Sequence, residues 1–408
     1  MNSEAQRHLR RRVTGTVFVA VGLALTGQFA TFTVLPLLTE DVAGSTGLSG
    51  LGPAAAIAGT AVGAAALGVV SARRGRRVGL LVGFIAGVAG ATLGTVAGVI
   101  ESLPLLVVGM ALFGAGTASI LLARYAVAAV HPEHRRAAVV GLVVWAGTLG
   151  AVVGPRLADP AGRAAEALGL PELTGAVMLG GLGFLGAAML CVTVPLARED
   201  AEHASGKPGA LATLRTGLER PVVRVAVAAI VISQFVMVLI MTMTPVFMRD
   251  HGHELGTVGT IMSAHILGMY LLTPAIGWVV DRFGAAPVVL TGLGLLAASA
   301  VVGATAPETA TLQLGLALWL LGIGWSLSFV ASSGMLAHGE EGPALAQLQG
   351  SVDSVVYAAA TIASVSSGVL MSALGYVILS VIGIALALVT ALAVIVNWQA
   401  VPSPAQAR

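Results

Sequence analysis

Charge is scarce in this chain of 408 residues: Asp, Glu, Lys and Arg together make up 10% of it. A soluble domain carries about 25%. With hydrophobic residues at 57%, the deficit excludes a water-soluble fold and leaves a polytopic protein whose solvent is the lipid bilayer. Cysteine is nearly absent. Cys191 stands alone, which excludes a disulfide framework and any multi-cysteine metal site. Lysine is as rare, so 20 of the 21 basic residues are arginine. No H-E-x-x-H or G-x-S-x-G motif occurs, nor a glycine loop ending in Lys that would cradle a nucleotide. No enzyme, no resident cofactor, no ATP drive and no nucleic-acid partner are expected.

What is present is a succession of long apolar runs. The first follows the basic stretch MNSEAQRHLRRRV and reaches Leu38, too long for a cleaved signal, so it reads as a retained helix. Twelve transmembrane helices are expected. Six cover about 14–39, 49–71, 78–99, 104–128, 137–157 and 173–195, and six more about 223–248, 257–280, 285–305, 312–336, 344–371 and 375–397. The polar stretch 196–222 separates them, which divides the chain into a first bundle (1–195), a middle loop (196–222), a second bundle (223–397) and a tail (398–408). With the N-terminus inside, Arg156, Arg163 and Arg249 are the only ones of the 21 basic residues outside. That bias puts both termini and the middle loop in the cytoplasm. The halves also repeat: a shift of 209 residues carries Pro36 onto Pro245, Gly47 onto Gly256, Gly68 onto Gly277 and Gly75 onto Gly284. Glycines spaced by about four, as at Gly83, Gly87, Gly90, Gly94 and Gly98, read as close helix packing.

Methionine is concentrated in one place. Met237, Met241, Met243, Met248, Met262 and Met269 are six of the twelve, within 33 residues. Met237 and Met241 share one face of the seventh span at i,i+4, and His265 and Met269 share one face of the eighth. Counted from the loop that joins these spans, Met241 and His265 both lie ~12 Å below the outer surface, with Met237 and Met269 one turn deeper. Three thioethers and a neutral imidazole suit a soft monovalent ion, Cu(I) above all. Packing is the other reading: Met adapts to any core, and an intramembrane His commonly bonds a neighbouring helix. The 209-residue shift turns the four positions into Gln28, Phe32, Ala56 and Thr60, so the first half has none of these donors. In the outer loop, Met248, His251 and His253 read either as an entry relay or as an ordinary polar turn. Asp353, nine residues inside the eleventh span, reads as a proton-coupling acid or as a hydrogen-bonded packing residue.

Two six-helix bundles with a basic loop after the second span of each resemble the major facilitator superfamily. The local marks are Gly68-Val-Val-Ser-Ala-Arg73-Arg-Gly-Arg76-Arg77 and Gly277-Trp-Val-Val-Asp281-Arg282-Phe-Gly284. They are similar to that family's G-x-x-x-D-x-x-G-R-R loop, which implies a cytoplasmic gate using Gly277, Asp281, Arg282, Arg73, Arg76 and Arg77. The first copy has Ala72 where the family has Asp. The resemblance implies alternating access around a midplane site, in a monomer, for a small molecule or metal ion. The Met237/Met241 and His265/Met269 pairs look like the M-x-x-x-M and H-x-x-x-M motifs of the CcoA-like bacterial copper importers. This implies copper import across the bacterial cytoplasmic membrane through those four residues. Two rivals stand. Gly141, Gly150, Gly154 and Pro155 match part of a motif of drug–proton antiporters, and neighbouring branches carry organic molecules such as riboflavin. Both point to a proton-coupled exporter or carrier using Asp353. A membrane copper sensor is the third alternative.

Overall fold

The computed structural model describes residues 3–129, 131, 133–193, 210–307, 309–337 and 342–398. Among them are fifteen α-helices, one 3-10 turn and no strand. In chain order the helices are α1 (Ser3–Ala43), α2 (Leu51–Arg74), α3 (Arg76–Val99), α4 (Leu103–Ala129), α5 (Glu133–Arg156), α6 (Ala158–Ala167) and α7 (Thr174–Val192). Then come α8 (Ala210–Leu218), α9 (Pro221–Asp250), α10 (Leu255–Tyr270), α11 (Thr273–Phe283), α12 (Ala285–Ala304), α13 (Thr311–Ala337), α14 (Gly342–Leu374) and α15 (Tyr376–Val396). Apolar helices are the expected answer to lipid, because each closes its own backbone hydrogen bonds.

Eleven stretches among the described residues are long and apolar enough to cross a membrane, with α10 and α11 counting as one. Those eleven do not include α5, which lies where the fifth of twelve spans was expected. Three local details differ from the sequence expectation. The eighth span is not continuous but breaks at Leu271–Leu272, between α10 and α11. The cause is Pro274, which has no N–H to give Tyr270 and crowds the preceding turn. The middle loop is helical over α8, where Gly217 lies against Leu348 of α14 and the Arg224 guanidinium donates to the Leu218 carbonyl at 3.2 Å. The connection between the fifth and sixth spans also contains a helix, α6. Residues 194–209 and 399–408, which include most of the expected loop and tail, lie outside the described residues.

The chain forms two compact units, residues 1–204 with 254–263, and 205–253 with 264–408. In the first, α1 packs on α5 and α7, α2 on α4, and α3 on α4 and α7. The glycines of α3 do what their spacing suggested. A Cβ on Gly90 would stand 2.3 Å from the Phe113 nitrogen, and one on Gly87 would stand 2.6 Å from the Phe184 ring. On α5, a Cβ on Gly154 would stand 2.4 Å from the Thr26 carbonyl of α1, so the antiporter-like motif here seats one helix on another. In the second unit, α9 packs on α13, α14 and α15, and α12 packs on α13 and α15.

The internal repeat extends to backbone geometry. Gly75 (φ 94, ψ 153) joins α2 to α3 and Gly284 (φ 87, ψ 162) joins α11 to α12. Both conformations are open essentially to glycine alone. Each amide closes the preceding helix, on Ser71 at 2.9 Å and Val280 at 2.8 Å, which are themselves 209 residues apart.

Outside the spans, Glu172 follows α6, whose Arg163 pairs with Asp159 at 2.8 Å. Burial, then the charges of Glu166 and Asp159, raise the Glu172 carboxyl above its ordinary value, against the pull of Arg163. The folded state therefore prefers the neutral acid, and stability falls as pH climbs from the unfolded carboxylate range, about 4.3, through the raised value. Glu172→Gln should raise the thermal midpoint in detergent at pH 7 and leave it unchanged at pH 4. An equal change at both would contradict this account.

Candidate functional site

The second unit holds the residues of interest on three helices. The deciding contact lies between α10 and α13. A Cβ on Gly322 would stand 2.3 Å from the His265 carbonyl and 3.0 Å from the Met269 nitrogen, and one on Gly268 would stand 2.7 Å from the Trp319 carbonyl. Two glycines thus let the backbones touch. At this approach His265, wholly buried, reaches the Leu318 carbonyl through Nδ1 at 2.8 Å. A carbonyl can only accept, so Nδ1 carries the proton and Nε2 presents its lone pair. Nε2 is buried and has no partner among the described residues.

The first unit repeats the crossing without the chemistry. A Cβ on Gly114 would stand 2.1 Å from the Ala56 carbonyl and 2.7 Å from the Thr60 nitrogen, and one on Gly59 would stand 2.0 Å from the Ala111 carbonyl. The scaffold is therefore the same at both places, with Ala56 and Thr60 in one and His265 and Met269 in the other.

Helix α9 reaches the same stripe of α13. Trp325 Nε1 donates to Gln234 Oε1 at 2.8 Å, and the Trp325 ring meets Tyr270 edge-on with centroids 6.3 Å apart. Gln234, Trp325 and Tyr270 therefore mark one level on α9, α13 and α10. Counting along each helix from that level at 1.5 Å per residue, Met237, Gly322 and Met269 lie ~2–5 Å further out. Met241, Leu318 and His265 lie ~8–11 Å out. Gln234, Met237 and Met241 form one stripe of α9 at i, i+3, i+7. Met237 and Met269 are buried and Met241 is half-buried. The shared contact with α13 brings the Met237/Met241 stripe and the His265/Met269 stripe to common levels.

The other candidates lie elsewhere. Met248 is buried. His251 Nδ1 donates to the Phe247 carbonyl of its own helix at 2.7 Å, and its ring packs on Phe247 with centroids 4.3 Å apart. His253 Nδ1 meets the Thr311 hydroxyl at 3.4 Å. Asp353 is exposed on α14. Of the expected gate residues, Arg73, Asp281 and Arg282 are exposed, Gly277 and Arg76 are half-buried, and Arg77 donates to the Val192 carbonyl at the end of α7. Among the described residues no three His, Cys, Asp or Glu side chains gather as a metal site, so any metal chemistry here rests on thioethers. The sequence reading missed Gln234, Trp325 and Tyr270. The signal available was an amide on the methionine stripe, three residues before Met237.

Residues 17–258 and 225–408 each match the model of the Major Facilitator Superfamily. The chain belongs to this superfamily. It is similar to the uncharacterized MFS-type transporter YddS of Bacillus subtilis (strain 168), 33% identical across 95% of this chain and 90% of YddS. It is also similar to the riboflavin transporter RfnT of Brucella anthropi, 26% identical across 70% of this chain and 72% of RfnT. Among solved structures, a mutant of the nucleoside transporter NupG shares the fold, with TM-score 0.71 and 14% identity over 96% of this chain and 100% of that one. This MFS protein is thus a multi-pass membrane transporter, as its helices and its family together require.

The glycine crossing yields a direct test. In this transporter Gly322→Ala forces α10 off α13 and should cost about 1–3 kcal/mol, the usual range for overpacking. Gly277→Ala, where a Cβ meets nothing within 4 Å, should leave the thermal midpoint unchanged. Equal midpoints for both variants would show that the α10–α13 contact is loose.

Proposed function

We propose that this transporter imports monovalent copper across the bacterial cytoplasmic membrane, with both termini in the cytoplasm, using His265, Met237, Met241 and Met269 as donors. The observation that carries the proposal is the state of His265. Leaving a buried polar atom without a partner costs about 1–3 kcal/mol, and Nε2 is such an atom. Metal-binding imidazoles are held in the same manner, one nitrogen donating to a carbonyl and the other left for the ion. A histidine kept for packing alone has its need met by the Leu318 bond and gains nothing from burying its second nitrogen dry. The flanking thioethers supply soft donors without charge, which suits a carrier that must also release its cargo.

A second reading has its own support. RfnT is named for riboflavin, and the exposed Asp353 is a candidate coupling acid for a carrier of organic molecules. The two readings separate at the donors, since an organic cargo does not need thioethers at those levels.

The test is copper accumulation in copper-starved cells lacking their own importer, with wild type, Met241→Leu and His265→Leu at matched expression. Uptake should appear with the wild type and fall at least tenfold in each variant, since losing one donor of a small set removes well over ~1.4 kcal/mol. Copper uptake indifferent to both replacements would sink the proposed site. Riboflavin uptake that survives replacement of all four donors by Leu would instead establish the organic carrier.

A further inference from the structure

The copper reading accounts for His265 and three methionines but leaves an aromatic layer unexplained. Trp325, nearly buried, is stacked on Phe329 with centroids 4.9 Å apart and planes at 26°. Phe329 lies one turn further along α13, so it covers one face of the indole. Gln234 holds the ring edge through Nε1, and Tyr270 closes a second edge at 68°. The remaining face turns the opposite way along α13. Side chains on a helix lean toward its N-terminus, which carries this face over the turn containing Gly322. That residue has no side chain, and its level is that of Met237 and Met269. Nothing in general packing requires such an arrangement here. The matching stretch of the first unit, around Gly116 and Thr117 of α4, has no aromatic residue, and Gln234 is matched by Leu25 under the 209-residue shift.

We infer that Trp325 is a further binding residue, whose indole face contacts the cation at the Met237/Met269 level, with Gln234 as the residue that positions it. Trp is the strongest π partner for a cation, and the contact is largest where water is excluded. A soft ion held by two neutral thioethers keeps its full charge for the ring to feel. Gln234 fixes the indole by accepting from Nε1, so the ring presents its face and not its edge. The inference rests on the copper reading and adds to it a contact that none of the donor motifs contains.

The experiment uses the full chain in detergent, titrated with Ag(I) as a redox-inert probe for the monovalent ion, and reads tryptophan emission together with affinity by chelator competition. The chain has five tryptophans, so assignment is made by substitution. Wild type should show emission quenched on Ag(I) binding. Trp325→Phe should lose most of that change and bind about three- to thirtyfold more weakly. Gln234→Leu, which keeps the ring but frees it, should give a smaller quench and an intermediate affinity. Trp319→Phe, on the same helix, should behave as wild type. Unchanged quenching and affinity in Trp325→Phe would overturn the contact while leaving the copper site intact. Absence of Ag(I) binding by the wild type would remove the copper reading and this contact together. Thermal midpoints of the variants, compared with wild type, separate a misfolded protein from one that has lost the contact.

Discussion

The second unit depends on one backbone crossing. Gly268 and Gly322 let α10 and α13 approach until each glycine meets a main-chain carbonyl of the other helix. In lipid no hydrophobic force pushes helices together, so intimate van der Waals contact and interhelical hydrogen bonds have to do it. The crossing supplies the first and makes the second possible, because only at this separation does the His265 ring reach the Leu318 carbonyl. The tautomer of His265, the level of Met269 and the seat of Trp325 all follow from it. Larger side chains at either glycine would separate the helices and undo each of these at once.

Much of the architecture was legible because the bilayer reads sequence in a simple way. Apolar length set the spans, arginine placement set their sense, and Gly75 and Gly284 announced the repeat. The departures came from short-range chemistry that hydropathy averages away. Pro274 breaks the eighth span without lowering its apolar character. The α8 segment, ALATLRTGL, is too short and mixed to register as an element, and it owes its place to Gly217 against Leu348 and to Arg224 capping its carbonyls.

The candidate site was legible in a different measure. Spacing along α9 and α10 gave the faces and the levels of the donors, because helical rise is regular. What spacing could not give was the partner of each face. His265 turns its Nδ1 to α13, and no property of residues 257–280 names Leu318 as the acceptor. Gln234 and Trp325 stand 91 residues apart, and neither has a local pattern that foretells the pairing. Met248, His251 and His253 looked from the sequence like a set, yet the fold gives the two histidines separate partners, Phe247 and Thr311.

The residues gathered on α9, α10 and α13 share one further property: none of Gln234, Met237, Met241, His265, Met269 and Trp325 carries a formal charge in the state seen here. A monovalent cation resting on them crosses the bilayer with its charge uncancelled, so the loaded carrier is electrogenic. Moving one elementary charge through the membrane potential is worth about 2.3 kcal/mol per 100 mV. An inside-negative potential of that size would by itself sustain roughly a fiftyfold inward accumulation. On that account an uncharged lining lets the cell's electrical gradient drive uptake of the ion without a partner ion moving alongside it.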